Sequence, residues 1–319
     1  MLLTNDAKIV AERQLYIISR AEFIGLRLSQ GMTVSEFLLQ VHAGKWHSDF
    51  LNRSNGVSNN NSHEREIISS LVYNSRHLIP TALNLGDCNA MRTETLDLNI
   101  SRGATTAYVA RPETDSAAAV ILIQEYWGIN DHIRDLAGRY ANEGYLCLAP
   151  DLYRGKLAKN PQEASQFMQA LSTEEGMEII RQTIAVANAK YKVQKLGITG
   201  YCMGGTFALR AACEINELAA AAPFYGDIPE EDVLKKLTVP TLFIAGKRDS
   251  WINPEKVNKL REAARKYNLP VEVVSYDADH AFFNDTRPEV YDAEAAADAW
   301  RRVLDLFRKH LTAAIPTGA

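Results

Sequence analysis

The sequence has few of the features that mark secreted, membrane or nucleic-acid-binding proteins. Its 319 residues include only 4 cysteines, which form neither a disulfide framework nor a CxxC metal-binding pair. No apolar run is long enough to cross a bilayer, and the N-terminus lacks the pattern of a secretory signal. With 35 Lys and Arg against 39 Asp and Glu, the net charge of -4 favours no polyanionic partner. We therefore predict a cytoplasmic protein that binds neither nucleic acid nor membrane.

The chain changes character near residue 90. Before that point the pattern is polar and partly helical, and residues 52–64 are rich in Asn, Ser and Gly, which is typical of a flexible linker or exposed loop. After it, strand and helix patterns alternate. We predict an N-terminal extension over residues 1–90, to which we assign no chemistry, a larger domain over 91–311 and a C-terminal tail over 312–319.

Short apolar runs in the larger domain predict a mostly parallel sheet. An antiparallel pair with a turn at residues 101–103 comes first, and the later runs are AAAVILIQE, YLCLAPD, KLGITGY, AAAAPFYG, PTLFIAG and PVEVVSY. Helical patterns separate most of them, including residues 161–171, 173–189, 254–267 and 290–311. This alternation predicts an α/β fold with helices on both faces and an active site beyond the carboxyl ends of the strands.

Cys202 stands in the stretch GITGYCMGG, between an apolar strand and a helix-like run. The spacing Gly200-x-Cys202-x-Gly204 is that of a nucleophile elbow with sulfur in place of oxygen. Small neighbours let the chain turn sharply there, which predicts that the thiol is lifted out of the backbone and exposed. Because such a short pattern recurs by chance, its meaning depends on the residues that the fold places beside it.

Two further reactive side chains follow predicted strands. Asp249 comes after PTLFIAG, and His280 comes after PVEVVSY. The chain order nucleophile, acid, histidine is that of an α/β-hydrolase. It predicts that His280 takes the thiol proton of Cys202, that Asp249 orients the imidazole ring, and that the thiolate attacks a carbonyl carbon. His132 and His310 lie near helix ends and are weaker candidates for the base.

Other acids and thiols compete less well for these roles. Asp277 and Asp279 are rivals to Asp249, but both lie beside the histidine rather than after a separate strand. Cys147 falls inside a predicted strand and Cys213 inside a predicted helix, so both are expected in the core.

Glu125 ends the apolar run of the first central strand, where a buried carboxylate is costly without a partner. One interpretation is a carboxylate satisfied by backbone donors or by an arginine. The other is that Glu125 belongs to the active site.

The motifs QEYWGINDHIRDLAGRYANEGYLCLAPDLYRG, GYCMGG, GKRDSWINP and DHAFFND resemble the dienelactone hydrolase family, the carboxymethylenebutenolidases, over about residues 91–311. The resemblance implies an α/β-hydrolase fold and a triad of Cys202, His280 and Asp249. It also implies that Glu125 interacts with the cysteine and helps to make it a thiolate once substrate binds.

By the same resemblance, the backbone N–H groups of Met203 and Tyr126 form the oxyanion hole, in agreement with the general rule for this fold. Two departures concern the substrate. Well-known members hold a substrate carboxylate with an arginine four residues after the histidine, where this chain has Asn284, and with a second one that residues 161–171 lack. Arg154, Lys156 and Arg287 are possible substitutes.

We therefore predict a hydrolase of a small carboxylic ester or lactone that forms a cysteinyl acyl-enzyme and needs no metal or organic cofactor. Its expected partner is the small-molecule substrate, and its expected state is a monomer or small homo-oligomer. The alternatives are a general carboxylesterase or thioesterase for uncharged acyl substrates, favoured by the missing arginines, and a non-catalytic binding protein on the same fold.

Overall fold

Eight strands form one sheet in the order β1-β2-β4-β3-β5-β6-β7-β8. The computed structural model describes residues 92–311, so the predicted extension and tail lie outside the described residues. The strands are β1 (Arg92–Ile100), β2 (Gly103–Arg111), β3 (Ala118–Ile123), β4 (Leu146–Pro150), β5 (Lys195–Tyr201), β6 (Leu218–Phe224), β7 (Thr241–Gly246) and β8 (Val271–Tyr276).

The sheet is mostly parallel, as predicted. β1 and β2 form an antiparallel hairpin, and β2 joins the sheet antiparallel to β4. All remaining neighbours, from β4 through β3 and β5 to β8, run parallel. The carboxyl ends of β3, β5, β6, β7 and β8 therefore meet at one edge, which is where an open α/β sheet carries its site.

Seven helices accompany this sheet in residues 92–311. They are α1 (Asp131–Asn142), α2 (Pro161–Ala170), α3 (Thr173–Tyr191), α4 (Met203–Glu214), α5 (Glu231–Leu234), α6 (Pro254–Tyr267) and α7 (Ala293–Leu311). Within this part of the chain no helix is both long and apolar enough to span a bilayer.

Helices cover both faces of the sheet because its central strands are apolar on both sides. β3 is buried along its whole length, with Ile121 and Ile123 in one core cluster and Val120 and Leu122 in the other. The first cluster includes buried residues of α3, α4 and α6, and the second includes those of α1 and α7. The continuous apolar runs of the sequence thus predict this architecture correctly.

The last helix is shorter than predicted. It begins at Ala293 rather than at residue 290, because the preceding residues make turns of their own: the N–H groups of Val290 and Tyr291 both bond to the carbonyl oxygen of Arg287, at 3.1 and 3.0 Å. Asp292 then accepts a hydrogen bond from the N–H of Ala295 at 3.0 Å, which satisfies a free donor of the first turn.

Candidate active site

Cys202 occupies a strained turn between β5 and α4. Its φ of 56° and ψ of -118° lie outside the regions that ordinary residues favour. The flanking glycines make this turn possible, since a Cβ on Gly200 would lie 2.2 Å from the carbonyl oxygen of Gly204. A Cβ on Gly204 would lie 2.3 Å from the carbonyl oxygen of Ile123. Strain of this kind is frequent at catalytic positions.

The thiol itself is buried, contrary to the prediction that the elbow exposes it. Cys202 is 4% exposed, and the backbone N–H groups of Met203 and Tyr126 hydrogen-bond its sulfur. Burial raises the pKa of the thiol, and the charges of Glu125 and Asp249 raise it further, while the two N–H groups oppose these effects. The loop after β3, which carries Glu125 and Tyr126, covers a side chain that the elbow alone would leave open.

Asp249 and His280 form a tight pair at the same edge of the sheet. Asp249 Oδ2 lies 2.6 Å from His280 Nδ1, and Asp249 Oδ1 accepts hydrogen bonds from the N–H groups of Trp251 and Ile252, both at 2.8 Å. Burial raises the pKa of Asp249, but the hydrogen bond and charge of His280 and the two N–H donors bring it below its ordinary value. His280 Nε2 has no hydrogen-bond partner among residues 92–311.

The competing acids and thiols lie elsewhere. Asp277 and Asp279 both pair with Arg248, at 2.9 and 3.2 Å, on the exposed side of the loop. Cys147 in β4 and Cys213 in α4 are buried within the two core clusters. These positions agree with the predictions made for them.

Glu125 lies two residues beyond β3 and is 2% exposed. Its Oε2 accepts a hydrogen bond from Asn284 Nδ2 at 2.7 Å, and its Oε1 has no partner within the described part of the chain. Burial raises the pKa of Glu125 above its ordinary value, although the charge of His132 and the bond from Asn284 oppose the shift. The carboxyl group therefore has neither the arginine nor the backbone donors that the first interpretation required.

A dienelactone hydrolase family model matches residues 105–311, which is more than half of the chain. The chain belongs to the dienelactone hydrolase family. A Yersinia pestis protein named “Putative carboxymethylenebutenolidase” is 34% identical over 229 residues, covering 66% of this chain and 85% of that protein. An Aquifex aeolicus protein of the same name is 32% identical over 216 residues, covering 64% and 93%.

A crystal structure from the same family has the same fold. The “Putative Dienelactone Hydrolase” from Klebsiella pneumoniae superposes with a TM-score of 0.64 at 30% identity, covering 70% of this chain and 100% of that one. The chain is thus a hydrolase-family member with an α/β-hydrolase fold, as its motifs predict.

Sequence reasoning undervalued His132. This residue, in the first turn of α1, is 3% exposed, and its Nδ1 lies 3.5 Å from Asp285 Oδ1. Asp285 also pairs with Arg139 at 2.5 Å, and both partners hold the pKa of this carboxyl far below its usual range. The available signal was its position, since His132 follows Glu125 by seven residues within the longest of the four motifs that resemble the family.

Two aromatic residues of the site were also missed. Tyr225 follows β6 with a φ of 36°, is fully buried and places its ring 5.1 Å from that of His280. Trp251 is 37% exposed, and its ring lies 5.2 Å from that of His280. Tyr225 ends a buried strand of the family fold, which is the one sequence signal that pointed to it.

The possible substitutes for the family arginines already have partners. Arg154 pairs with Glu175 and donates to the carbonyl oxygen of Arg102 at 3.0 Å. Arg287 pairs with Glu289 at 2.9 Å, and the Lys156 ammonium lies 5.6 Å from the centre of the Phe167 ring.

No metal site replaces these cations in the described residues. Residues 92–311 contain no group of three or more His, Cys, Asp and Glu side chains arranged to hold a metal ion.

Proposed function

We propose that the protein hydrolyses small carboxylic esters or lactones through Cys202, His280 and Asp249. The observation that carries this proposal is the 2.6 Å contact between Asp249 and His280, on loops of the sheet edge where Cys202 occupies a strained turn. Cys202 follows β5, Asp249 follows β7 and His280 follows β8. β7 and β8 are adjacent in the sheet, and only β6 separates β5 from β7. This constellation suits acyl transfer to a cysteine.

The first half of the reaction forms the acyl-enzyme. In this proposal, rotation of the Cys202 side chain brings its sulfur from the backbone N–H groups toward His280 Nε2, which takes the thiol proton. The thiolate attacks the carbonyl carbon, and the oxyanion occupies the donors of Met203 and Tyr126. When the C–O bond breaks, the leaving alkoxide takes the proton from His280, and a thioester remains on the enzyme.

The second half regenerates the thiol. A water molecule gives a proton to His280 and attacks the thioester carbon, after which the C–S bond breaks and the thiolate recovers the proton. Asp249 supports both halves, because its contact with Nδ1 fixes the tautomer that leaves Nε2 free to accept a proton.

Glu125 controls the thiol in this proposal. As an anion it opposes the thiolate, since two buried negative charges repel each other. Its raised pKa favours uptake of a proton, which removes this repulsion. In this proposal Oε1 takes the thiol proton first and passes it to His280 Nε2, so that a single proton moves from the thiol to the leaving group. Two such coupled acids titrate as a pair rather than independently.

Replacement of the nucleophile tests the proposal. We expect Cys202→Ala to reduce the hydrolysis of 4-nitrophenyl acetate by roughly 10⁶-fold, as loss of a triad nucleophile does. The matched control is Cys213→Ala, a buried cysteine in α4 of the same protein, which should keep most of its activity. If Cys202→Ala retains more than a few per cent of the background-corrected rate, the nucleophile is another residue. If the unmodified protein cleaves no ester or lactone, the non-catalytic alternative replaces this proposal.

A further inference from the structure

Asn284 is the only residue that hydrogen-bonds the Glu125 carboxyl group within residues 92–311, and it is electrically neutral. We propose that Asn284 determines specificity: it holds Glu125 with an uncharged amide, so that the site selects esters whose acyl group carries no anion. This inference rests on the proposed ester hydrolysis and adds the charge class of the substrate.

The orientation of the Asn284 amide is fixed by its other partner. Asn284 Oδ1 accepts hydrogen bonds from the N–H of Thr286 at 3.0 Å and from the Thr286 hydroxyl at 2.6 Å. Because a backbone N–H only donates, this end of the amide must be the oxygen. Its Nδ2 therefore points to Glu125 and donates to Oε2 in either protonation state of the carboxyl group. With Asn284 at 1% exposure, no solvent reaches this contact.

Each group near Glu125 that carries or can take up a positive charge has an acidic partner. Three positively charged or titratable groups lower its pKa by their charge, namely His132, His280 and Arg287. His280 pairs with Asp249, Arg287 pairs with Glu289, and His132 lies against Asp285.

A substrate carboxylate beside the thiol would therefore meet two buried carboxylates and lose its hydration. Among the three groups whose charge acts on Glu125, it would find none that lacks an acidic partner. Burial of a charge without a partner is strongly unfavourable.

The surroundings of the triad fit an uncharged group instead. The rings of Trp251 and Tyr225 lie 5.2 and 5.1 Å from the His280 ring, and Tyr126 packs its ring 4.6 Å from that of Trp127. Such aromatic surfaces stabilise apolar acyl chains and offer a carboxylate no compensating positive charge.

The test compares two substrates that differ only in charge. They are 4-nitrophenyl hydrogen adipate, which is anionic at neutral pH, and its methyl ester, which is neutral and of nearly equal size. The ratio of kcat/KM, neutral over anionic and corrected for spontaneous hydrolysis, is measured for the full-length protein. We expect a ratio of roughly 10² or more, the scale of discrimination that an uncompensated charge produces.

Three variants separate charge from shape. Asn284→Arg introduces a cation and should lower the ratio by about tenfold or more, because a guanidinium pairs with a carboxylate. Asn284→Asp has nearly the same shape and should raise the ratio further. Asn284→Gln keeps the neutral amide and should leave the ratio within about threefold of the unmodified protein, even where both rates fall. If Asn284→Arg does not fold, as judged by circular dichroism, the isosteric Asn284→Asp decides.

A ratio near or below one for the unmodified protein overturns the inference while leaving ester hydrolysis intact. The inference also fails if a folded Asn284→Arg, or Asn284→Asp in its place, leaves the ratio unchanged. By contrast, if the unmodified protein cleaves neither substrate nor 4-nitrophenyl acetate, the proposed hydrolysis itself fails. The two failures are therefore distinguishable.

Discussion

Two carboxyl groups lie near Cys202, equally buried at 2% exposure, yet their surroundings shift their pKa values in opposite directions. Asp249 contacts His280 and accepts two backbone hydrogen bonds, and its pKa is lowered in spite of burial. Glu125 has a single neutral donor, Asn284, and burial raises its pKa. Burial alone thus does not decide the charge of a carboxyl group, because the number and charge of its partners do.

This contrast divides the chemistry between the two groups. An acid with a lowered pKa stays anionic and can hold the His280 ring throughout the reaction. An acid with a raised pKa takes up a proton more readily than an ordinary carboxyl group, which suits a group beside a titrating thiol. The contrast predicts that neutral replacements at the two positions have different consequences.

Replacement of Asp249 should have the larger effect. In Asp249→Asn, the amide can donate to His280 Nδ1 and so stabilises the tautomer with its proton on Nε2, which cannot accept the thiol proton. We expect kcat/KM for 4-nitrophenyl acetate to fall by roughly 10³ to 10⁴-fold, as for tautomer errors in other triads. The control is Asp277→Asn, the nearby exposed carboxyl paired with Arg248, which should stay within about threefold. If Asp277→Asn caused the large loss and Asp249→Asn stayed within about threefold, Asp277 would be the acid that orients His280.

Replacement of Glu125 should slow hydrolysis less than replacement of Asp249 does. It should also lower the pKa of the Cys202 thiol and so make the thiol easier to ionise. In Glu125→Gln, hydrolysis should fall by roughly 10²-fold because a proton acceptor is lost. The pKa of Cys202 should fall as well, because burial and then the charge of Glu125 raise it, and the second cause is removed. The pH profile of Cys202 alkylation by iodoacetamide should therefore move to lower pH.

Both readouts are needed for Glu125. Rates and alkylation of the Cys202 peptide are compared from pH 5 to 9, and Glu178→Gln on α3, whose carboxyl bonds Ser101, is the control. If the pH profiles of Glu125→Gln and the unmodified protein superimpose in both assays, Glu125 has only a structural role and does not control the thiol.

The strands and their mostly parallel arrangement were largely predictable, because local sequence patterns mark them. Strands buried on both faces appear as continuous apolar runs, and β3, β4 and β7 match them closely. The start of α7 was not predictable from the helical pattern, since turn hydrogen bonds to Arg287 displace it by three residues. These turn hydrogen bonds cannot be read from the spacing of apolar residues, which is the only basis of the helix prediction.

The site was predictable only where a motif carries it. Cys202, Asp249 and His280 follow strands in a recognisable order, but the partner of Glu125 lies 159 residues away in Asn284. The burial of the thiol and the position of His132 also depend on how loops pack over the sheet edge. The predicted boundary near residue 90 stays a prediction, because it lies outside the described residues.

Asp285 offers the finest test of the contrast, because it too has a lowered pKa but its partners are His132 and Arg139 rather than His280. His132 and Arg139 hold its pKa below the usual range through hydrogen bonds and charge. A carboxyl with a lowered pKa stabilises the fold above its unfolded pKa of about 4 and loses that contribution as the pH falls further. With its side chain 31% exposed, solvent screening limits the contribution to about 1 kcal/mol.

We therefore expect Asp285→Asn to lower the Tm by about 2–4 °C at pH 7, with the difference beginning to shrink below about pH 4 and lost only as the pH falls through the lowered pKa of Asp285. Differential scanning calorimetry across this range measures it, and Asp232→Asn, whose side chain is 89% exposed beside Lys235, is the control with little expected change. A Tm difference that does not decrease at all from pH 4 down to the lowest pH at which the protein still folds would mean that Asp285 acts through shape rather than charge.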